Sequence, residues 1–325
     1  MTKLRTSAMI ASLASEGQQV TAAPFGHTLA RLADTRADIV GMTADLGKYT
    51  DLHIFAQAHP DRFYQMGMAE QLLMAAAAGM AREGFTPFVT TYAVFAARRA
   101  YDFIYMAIAE DRLNVKIACA LPGLTTGYGP SHQGTDDLAI FRSIPGLTVI
   151  DPCDAVDVEQ ATEAAADHPG PVYMRLLRGQ VPRVLDDYTG HFEIGKARLL
   201  RDGADVLFIS TGILTMRALE AAAVLAGDRI DVGVLHLATV KPLDLPAIIE
   251  ALQRPGRLIV VAENHAAPGG FGEAVLAHAA LQGGAPRMRQ IALPDAFLDA
   301  GALPTLHDRY GISTRAIVER VRAWL

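Results

Sequence analysis

A chain of 325 residues, 51% apolar and 20% charged, carries about two average domains' worth of material for a packed core, which excludes disorder for its bulk. Its 29 basic and 35 acidic side chains leave a net charge of −6 with no block of five like charges, so neither a nucleic-acid surface nor a polybasic membrane anchor is expected. Cys119 and Cys153 stand far from each other and from any paired His at metal-ligand spacing, which excludes a disulfide scaffold and a structural zinc site.

Near the N-terminus, Lys3 and Arg5 ahead of Ala8 to Ala14 faintly resemble the opening of a signal peptide, but the apolar run is short and broken by Ser12. Short β-branched runs then alternate with Ala/Leu-rich amphipathic stretches. Strands are predicted at Ile39 to Thr43, Thr86 to Thr90, Val115 to Ala120, Thr148 to Ile150 and Val172 to Arg175, with helices at Phe25 to Ala33, Gly67 to Arg82 and Tyr92 to Glu110. The most apolar part of these helices, Leu72 to Ala81, is roughly half the length that crosses a bilayer. A cytoplasmic protein with no membrane association is expected. The polar, turn-forming segment Pro182 to Gly195 marks a boundary near Gly190. Beyond it, strands at Val206 to Ser210, Ile230 to Leu237, Arg257 to Ala262 and Arg289 to Leu293 alternate with helices at Thr215 to Ala226, Leu245 to Leu252, Gly272 to Ala280 and Thr314 to Leu325. The fold class is therefore α/β, with two separate doubly wound domains at residues 1–189 and 190–325.

Four segments carry chemistry-bearing residues. In Phe63 to Gln71 a strand runs through Gly67 into a helix whose first turn holds Glu70; alone, that carboxylate reads as a partner of the helix dipole. Thr90 to Asp102 opens a helix with Tyr92, Phe95 and Tyr101 at a spacing that suits a core face or the wall of a site for a flat ring. Gly123 to Asp137 is a glycine-rich loop with His132 near its exit, where an imidazole meets a polar substrate or moves a proton. Pro171 to Gly179 ends a strand with Arg175 and Arg178, either surface ion-pair partners or forks for phosphate or carboxylate oxygens.

In this order and spacing the four segments resemble the pyrimidine-binding domain of the transketolase family of thiamine-diphosphate enzymes. The pieces DVLFISTG at Asp205, TVKPLD at Thr239 and VVAENHAAPGGFGEAV at Val260 are similar to that family's C-terminal domain. The resemblance covers nearly the whole chain from Pro24. It implies that Glu70 hydrogen-bonds the aminopyrimidine of the cofactor, that Tyr92 and Phe95 pack on that ring beside the Asp45–Leu46 loop, that His132 meets substrate oxygens, and that Arg175 or Arg178 binds a substrate phosphate. The role implied for Glu70 requires a carboxyl that is buried and keeps its proton at neutral pH.

Full-length enzymes of this kind also have a diphosphate-binding domain with a metal-holding Gly-Asp-Gly motif, and no Gly-Asp-Gly occurs here. The expectation is one half of a split transketolase. An N-terminal subunit supplies the diphosphate site with its magnesium or calcium, the cofactor lies between chains in an α2β2 assembly of paired pyrimidine domains, and the small-residue face Ala75 to Gly79 suits close helix contact there or ordinary internal packing. Such an enzyme moves a two-carbon ketol unit from a ketose or ketose phosphate to an aldose or aldose phosphate through an enamine. Two departures bear on the substrate: Tyr128 stands where many transketolases read a hydroxyl with Asp, and Ala120 where many hold a phosphate with His. Alternatives are a subunit resembling 1-deoxyxylulose-5-phosphate synthase, to which SHQGTDDLAIFRSIPGLTVI and RLLRG are also similar, a β subunit of a 2-oxoacid dehydrogenase, and a catalytically silent regulatory subunit.

Overall fold

The computed structural model describes residues 13–14, 17–281 and 287–325. The signal-peptide-like stretch from Lys3 to Ala14 lies almost wholly outside the described residues. None of the described helices is long and apolar enough to cross a membrane.

The first half contributes strands β1 (Val20–Ala22), β2 (Ile39–Thr43), β3 (Phe63–Gln65), β4 (Thr86–Tyr92), β5 (Lys116–Ala120), β6 (Thr148–Ile150), β7 (Val172–Leu176) and β8 (Gln180–Pro182), with helices α1 (Pro24–Ala33), α2 (His53–Ala58), α3 (Glu70–Arg82), α4 (Ala93–Arg99), α5 (Asp137–Arg142) and α6 (Ala155–Asp167). The second half contributes β9 (Arg198–Arg201), β10 (Val206–Ser210), β11 (Val232–His236), β12 (Thr239–Lys241), β13 (Leu258–Ala266) and β14 (Met288–Leu293), with α7 (Ile213–Ala226), α8 (Leu245–Leu252), α9 (Phe271–Leu281), α10 (Leu303–Arg309) and α11 (Thr314–Trp324). The apolar strands β2, β4, β5, β7 and β10 are buried on both faces, the condition of a parallel sheet covered by helices on each side.

The two α/β units are less separate than the alternation predicts. The first sheet runs β12-β6-β7-β5-β4-β2-β3, parallel except at its edge, where β12 from the second half pairs antiparallel with β6. The second sheet runs β14-β13-β10-β11-β9, with β9 antiparallel on its edge. Other differences have local causes. The helix expected from Tyr92 to Glu110 ends as α4 at Arg99, and a π-helical segment, Phe103–Ala109, follows. Its wider turn keeps Ile104 and Ile108 in the core while Phe103 and Met106 face outward. Helix α6 was not anticipated, although Asp154 caps it by accepting from the Asp157 N–H at 2.9 Å, a signature legible in the sequence.

An ion cluster sealed at the junction of the two sheets orders the loop that follows β5. Arg175 on β7 is 1% exposed. Its Nε donates to Asp137 at 2.9 Å, and its Nη1 donates to Asp151 at 3.3 Å and to the Asn264 carbonyl, on β13 of the other sheet, at 3.1 Å. Burial pushes the Asp137 carboxyl up, but the charge and hydrogen bonds of Arg175 outweigh it and hold Asp137 below its ordinary value. For Asp151 burial prevails and the carboxyl is raised. Asn264 also accepts from the Leu124 N–H at 2.9 Å. A Cβ on Gly123, at φ +56°, would meet the Asn264 carbonyl oxygen at 2.1 Å, so glycine is required there both by conformation and by space. Removing the cation would leave buried carboxylates uncompensated. Arg175→Met should therefore destabilise the full chain by about 3–5 kcal/mol in chemical denaturation, and a loss below about 1 kcal/mol, the scale of an exposed pair, would contradict this account.

Candidate active site

The C-terminal edge of a parallel sheet is where α/β folds hold ligands, and here several chain segments converge on it. After β2 the chain turns through Asp45, at φ 58°, to Leu46. After β3 it passes through Gly67, at φ 72°, into α3, whose first residue is Glu70. Strand β4 ends on Tyr92, the residue that opens α4, and the loop after β5 carries Tyr128 and His132. Leu46, Glu70, Tyr92, Phe95, Tyr128 and His132 line one cavity of about 430 Å³, with Arg99 also in its wall. Four of the residues expected on a bound pyrimidine thus meet in one place, together with the histidine.

Glu70 combines burial with access to that cavity. Its side chain is 5% exposed, and Oε1 accepts from Arg99 Nη1 at 3.1 Å. The rings of Tyr92 and Phe95 lie 5.6 Å apart, and both approach His132 edge-on, at 6.0 and 5.5 Å between centroids. Tyr128 packs on the imidazole at 5.2 Å, and Ser131 Oγ lies 2.9 Å from its Nδ1. Burial, reinforced by the charge of Arg99, holds His132 below its ordinary value. The ring is therefore neutral at pH 7 and able to accept a proton. Burial raises the Tyr92 phenol, which stays protonated. Arg98 pins the His132 loop to α4, reaching Asp136 at 2.9 and 2.8 Å and the Pro130 carbonyl at 3.3 Å.

Other expected residues fall elsewhere. Asp45 is exposed and bound to Gln65, through its N–H at 2.7 Å and its carboxylate at 3.2 Å; it shapes the loop while Leu46 lines the cavity. Arg175 is a correction: enclosed by Asp137, Asp151 and the Asn264 carbonyl, it has no face for a substrate phosphate. Arg178, two residues beyond β7, stands close enough to Asp51 and Tyr92 for its charge to oppose the rise that burial imposes on both. Ala120 is buried within β5, whereas Tyr128 does stand in the wall. Arg99 was not singled out from the sequence, though its spacing of four from Phe95 on a helix is the signal that places both side chains on one face.

The cavity suits a flat heteroaromatic ring, offering two aromatic walls and one dry carboxyl. It does not suit a hard divalent cation, because Glu70 is the one carboxylate in its wall among the described residues. Elsewhere, Cys153, Asp157 and His236 bring ligand atoms within 4.8 Å of one another, but these groups are already committed. His236 pairs with Asp157 at 2.6 Å and with Thr215 Oγ1 at 2.7 Å, linking α6 to β11.

Two family models match this chain: the transketolase pyrimidine-binding domain over residues 18–183 and the transketolase C-terminal domain over residues 195–317. The chain belongs to the transketolase family. Membership carries dependence on thiamine diphosphate with it. Among its relatives, a transketolase family protein of Sinorhizobium fredii is 64% identical over 99% of this chain and 94% of that protein. A 1-deoxy-D-xylulose-5-phosphate synthase of Syntrophotalea carbinolica is 37% identical over 93% of this chain, which spans only 47% of the synthase. Among solved structures, a split-gene transketolase described as an inactive β4 tetramer superposes with a TM-score of 0.84 at 37% identity, covering 94% of this chain and 99% of that one.

The neutral His132 of this transketolase-family chain can be observed directly. In an NMR titration its ring should show a midpoint below 6.5, the ordinary histidine value; a midpoint at or above that value would contradict the half-buried position beside the charge of Arg99.

Proposed function

We propose that the chain is the C-terminal subunit of a split transketolase, transferring a two-carbon ketol unit from a ketose or ketose phosphate to an aldose or aldose phosphate. The observation that carries this reading is the buried Glu70 carboxyl in an aromatic cleft that it lines together with a neutral His132. When bound, thiamine diphosphate supplies the carbanion sink that carbon–carbon cleavage beside a carbonyl needs and no side chain provides. Tyr92, Phe95 and Leu46, which line the cavity, would hold the pyrimidine there. Glu70 hydrogen-bonds it, and to donate that bond it must carry a proton. His132 meets the substrate's oxygens and moves a proton there. The aromatic walls keep water from the reacting groups. Arg178 meets a substrate phosphate in this reading, which its nearness to Tyr92 in the cleft wall supports.

A separate N-terminal subunit supplies the diphosphate site and the magnesium or calcium. The cleft's shortage of hard oxygen ligands and the missing Gly-Asp-Gly motif support this. Pairing of pyrimidine domains in an α2β2 assembly is supported by exposed apolar side chains around α3 and the π-helical segment packed on it: Met68 is 80% exposed, Leu72 53% and Met106 49%, and a Cβ on Gly79 would meet nothing within 4 Å. Exposed apolar surface of this kind marks interfaces. A second reading, a synthase-type subunit taking pyruvate as donor, is favoured by the 37% identity with 1-deoxy-D-xylulose-5-phosphate synthase. Assaying the reconstituted pair with pyruvate and with ketoses separates the two.

The role of Glu70 is tested by Glu70→Gln in the reconstituted two-chain enzyme. Turnover should fall by about 10²-fold or more, with fold and assembly intact by circular dichroism and gel filtration. Near-normal aldose formation would remove the role assigned to this carboxyl.

A further inference from the structure

Arg98 and Arg99 are neighbours on α4 with opposite surroundings. Arg98 is fixed by a two-pronged contact with Asp136 and a third bond to the Pro130 carbonyl. Arg99 turns into the cleft instead. Its guanidinium donates to Glu70 Oε1 at 3.1 Å, and its Cζ lies 4.0 Å from the centroid of the Phe95 ring. The ion pair is lopsided, since the Glu70 side chain is 5% exposed and that of Arg99 51%. The carboxylate is confined to its place, while the arginine, on a long flexible stem, has water beside it into which it can swing at small cost.

A guanidinium and an aminopyrimidine are alike in the features this cleft selects. Both are flat and delocalised, stack on an aromatic face and carry nitrogen groups in the plane. If Phe95 stacks on the pyrimidine and Glu70 hydrogen-bonds it, the ring and Arg99 want the same two partners. Glu70 is moreover an acceptor towards Arg99 and would be a donor towards the ring, and a carboxyl that donates is neutral and holds a guanidinium less strongly than a carboxylate does. Resting on the function proposed above, we propose that Arg99 is a displaceable stopper of the pyrimidine cleft, competing with the cofactor's ring for Glu70 and Phe95 and thereby setting how tightly this chain takes up its cofactor.

Generic electrostatics predicts the opposite sign. Thiamine diphosphate carries net negative charge, so deleting a nearby cation should weaken its binding. Deleting a competitor should strengthen it. Thiamine diphosphate with magnesium is titrated calorimetrically into the chain assembled with its diphosphate-binding subunit, as wild type, Arg99→Leu and Arg99→Gln. Arg82→Leu is run alongside, because Arg82 pairs with Asp111 near the far end of α3, both half-exposed, and its loss removes the same charge without touching the cleft. The Kd should tighten about 3- to 10-fold in both Arg99 variants, the scale of one exposed ion pair and one cation–π contact, and stay unchanged in Arg82→Leu. An unchanged or weaker Kd in the Arg99 variants would overturn the stopper and make Arg99 a bystander or a cofactor ligand. Absence of thiamine diphosphate binding by the wild-type assembly would instead sink the functional reading on which the stopper rests.

Discussion

Arg175 is sealed where two sheets meet, and the geometry of the cleft depends on that. A guanidinium cannot shed its charge, so its burial requires carboxylates around it, and they come from Asp137 at the start of α5 and Asp151 after β6. Each is held where its chain segment must end. The β13 carbonyl of Asn264 completes the set from the other sheet, while its amide oxygen takes the Leu124 N–H. The glycine-rich loop is thereby anchored near both of its ends, and what lies between them, Tyr128 to His132, is left to form one wall of the cleft. An arginine expected among the substrate ligands is instead the joint that keeps the glycine-rich loop in place.

The cleft itself is chemically one-sided. It has aromatic faces, a dry carboxyl and a neutral imidazole, the equipment for recognising a flat ring and moving a proton. Among the described residues it has one carboxylate, Glu70, and not the hard oxygen cluster that holds a divalent cation with a diphosphate. A cofactor with an apolar ring at one end and a polyanion at the other is best gripped by two different surfaces. Met68 and Leu72, on either side of Glu70 in the chain, are exposed apolar side chains, as is Met106. Family membership, the buried carboxyl and this asymmetry all favour a site completed by another chain.

Much of this was legible in the sequence, for identifiable reasons. Strands at Ile39–Thr43, Thr148–Ile150 and Val206–Ser210 match their predicted bounds because short β-branched runs between turn signals have few other folded uses. Glu70, Tyr92, Phe95 and His132 share one cavity because their motifs lie at strand ends, where the topology of a parallel sheet gathers them. The edge strands β9 and β12 escaped notice, since strands of three or four residues on an antiparallel edge have no period to read. Arg175 and Arg178 look alike in sequence and differ in the structure, because the carboxylates that bury Arg175 come from positions 137 and 151, and such long-range pairing leaves no local mark. Arg99 was within reach of helix spacing, but its contact with Glu70 spans 29 positions.

The central claim is that this chain provides the ring-binding half of a site whose anion-binding half lies on another polypeptide. Its most direct test is calorimetric titration of thiamine diphosphate and magnesium into the isolated full chain and into the same chain with a Gly-Asp-Gly-bearing partner. The account predicts a Kd weaker than about 1 mM for the chain alone and of about 1 μM or tighter for the pair, a gain of roughly 4 kcal/mol or more. Binding at about 1 μM by the isolated chain would contradict it.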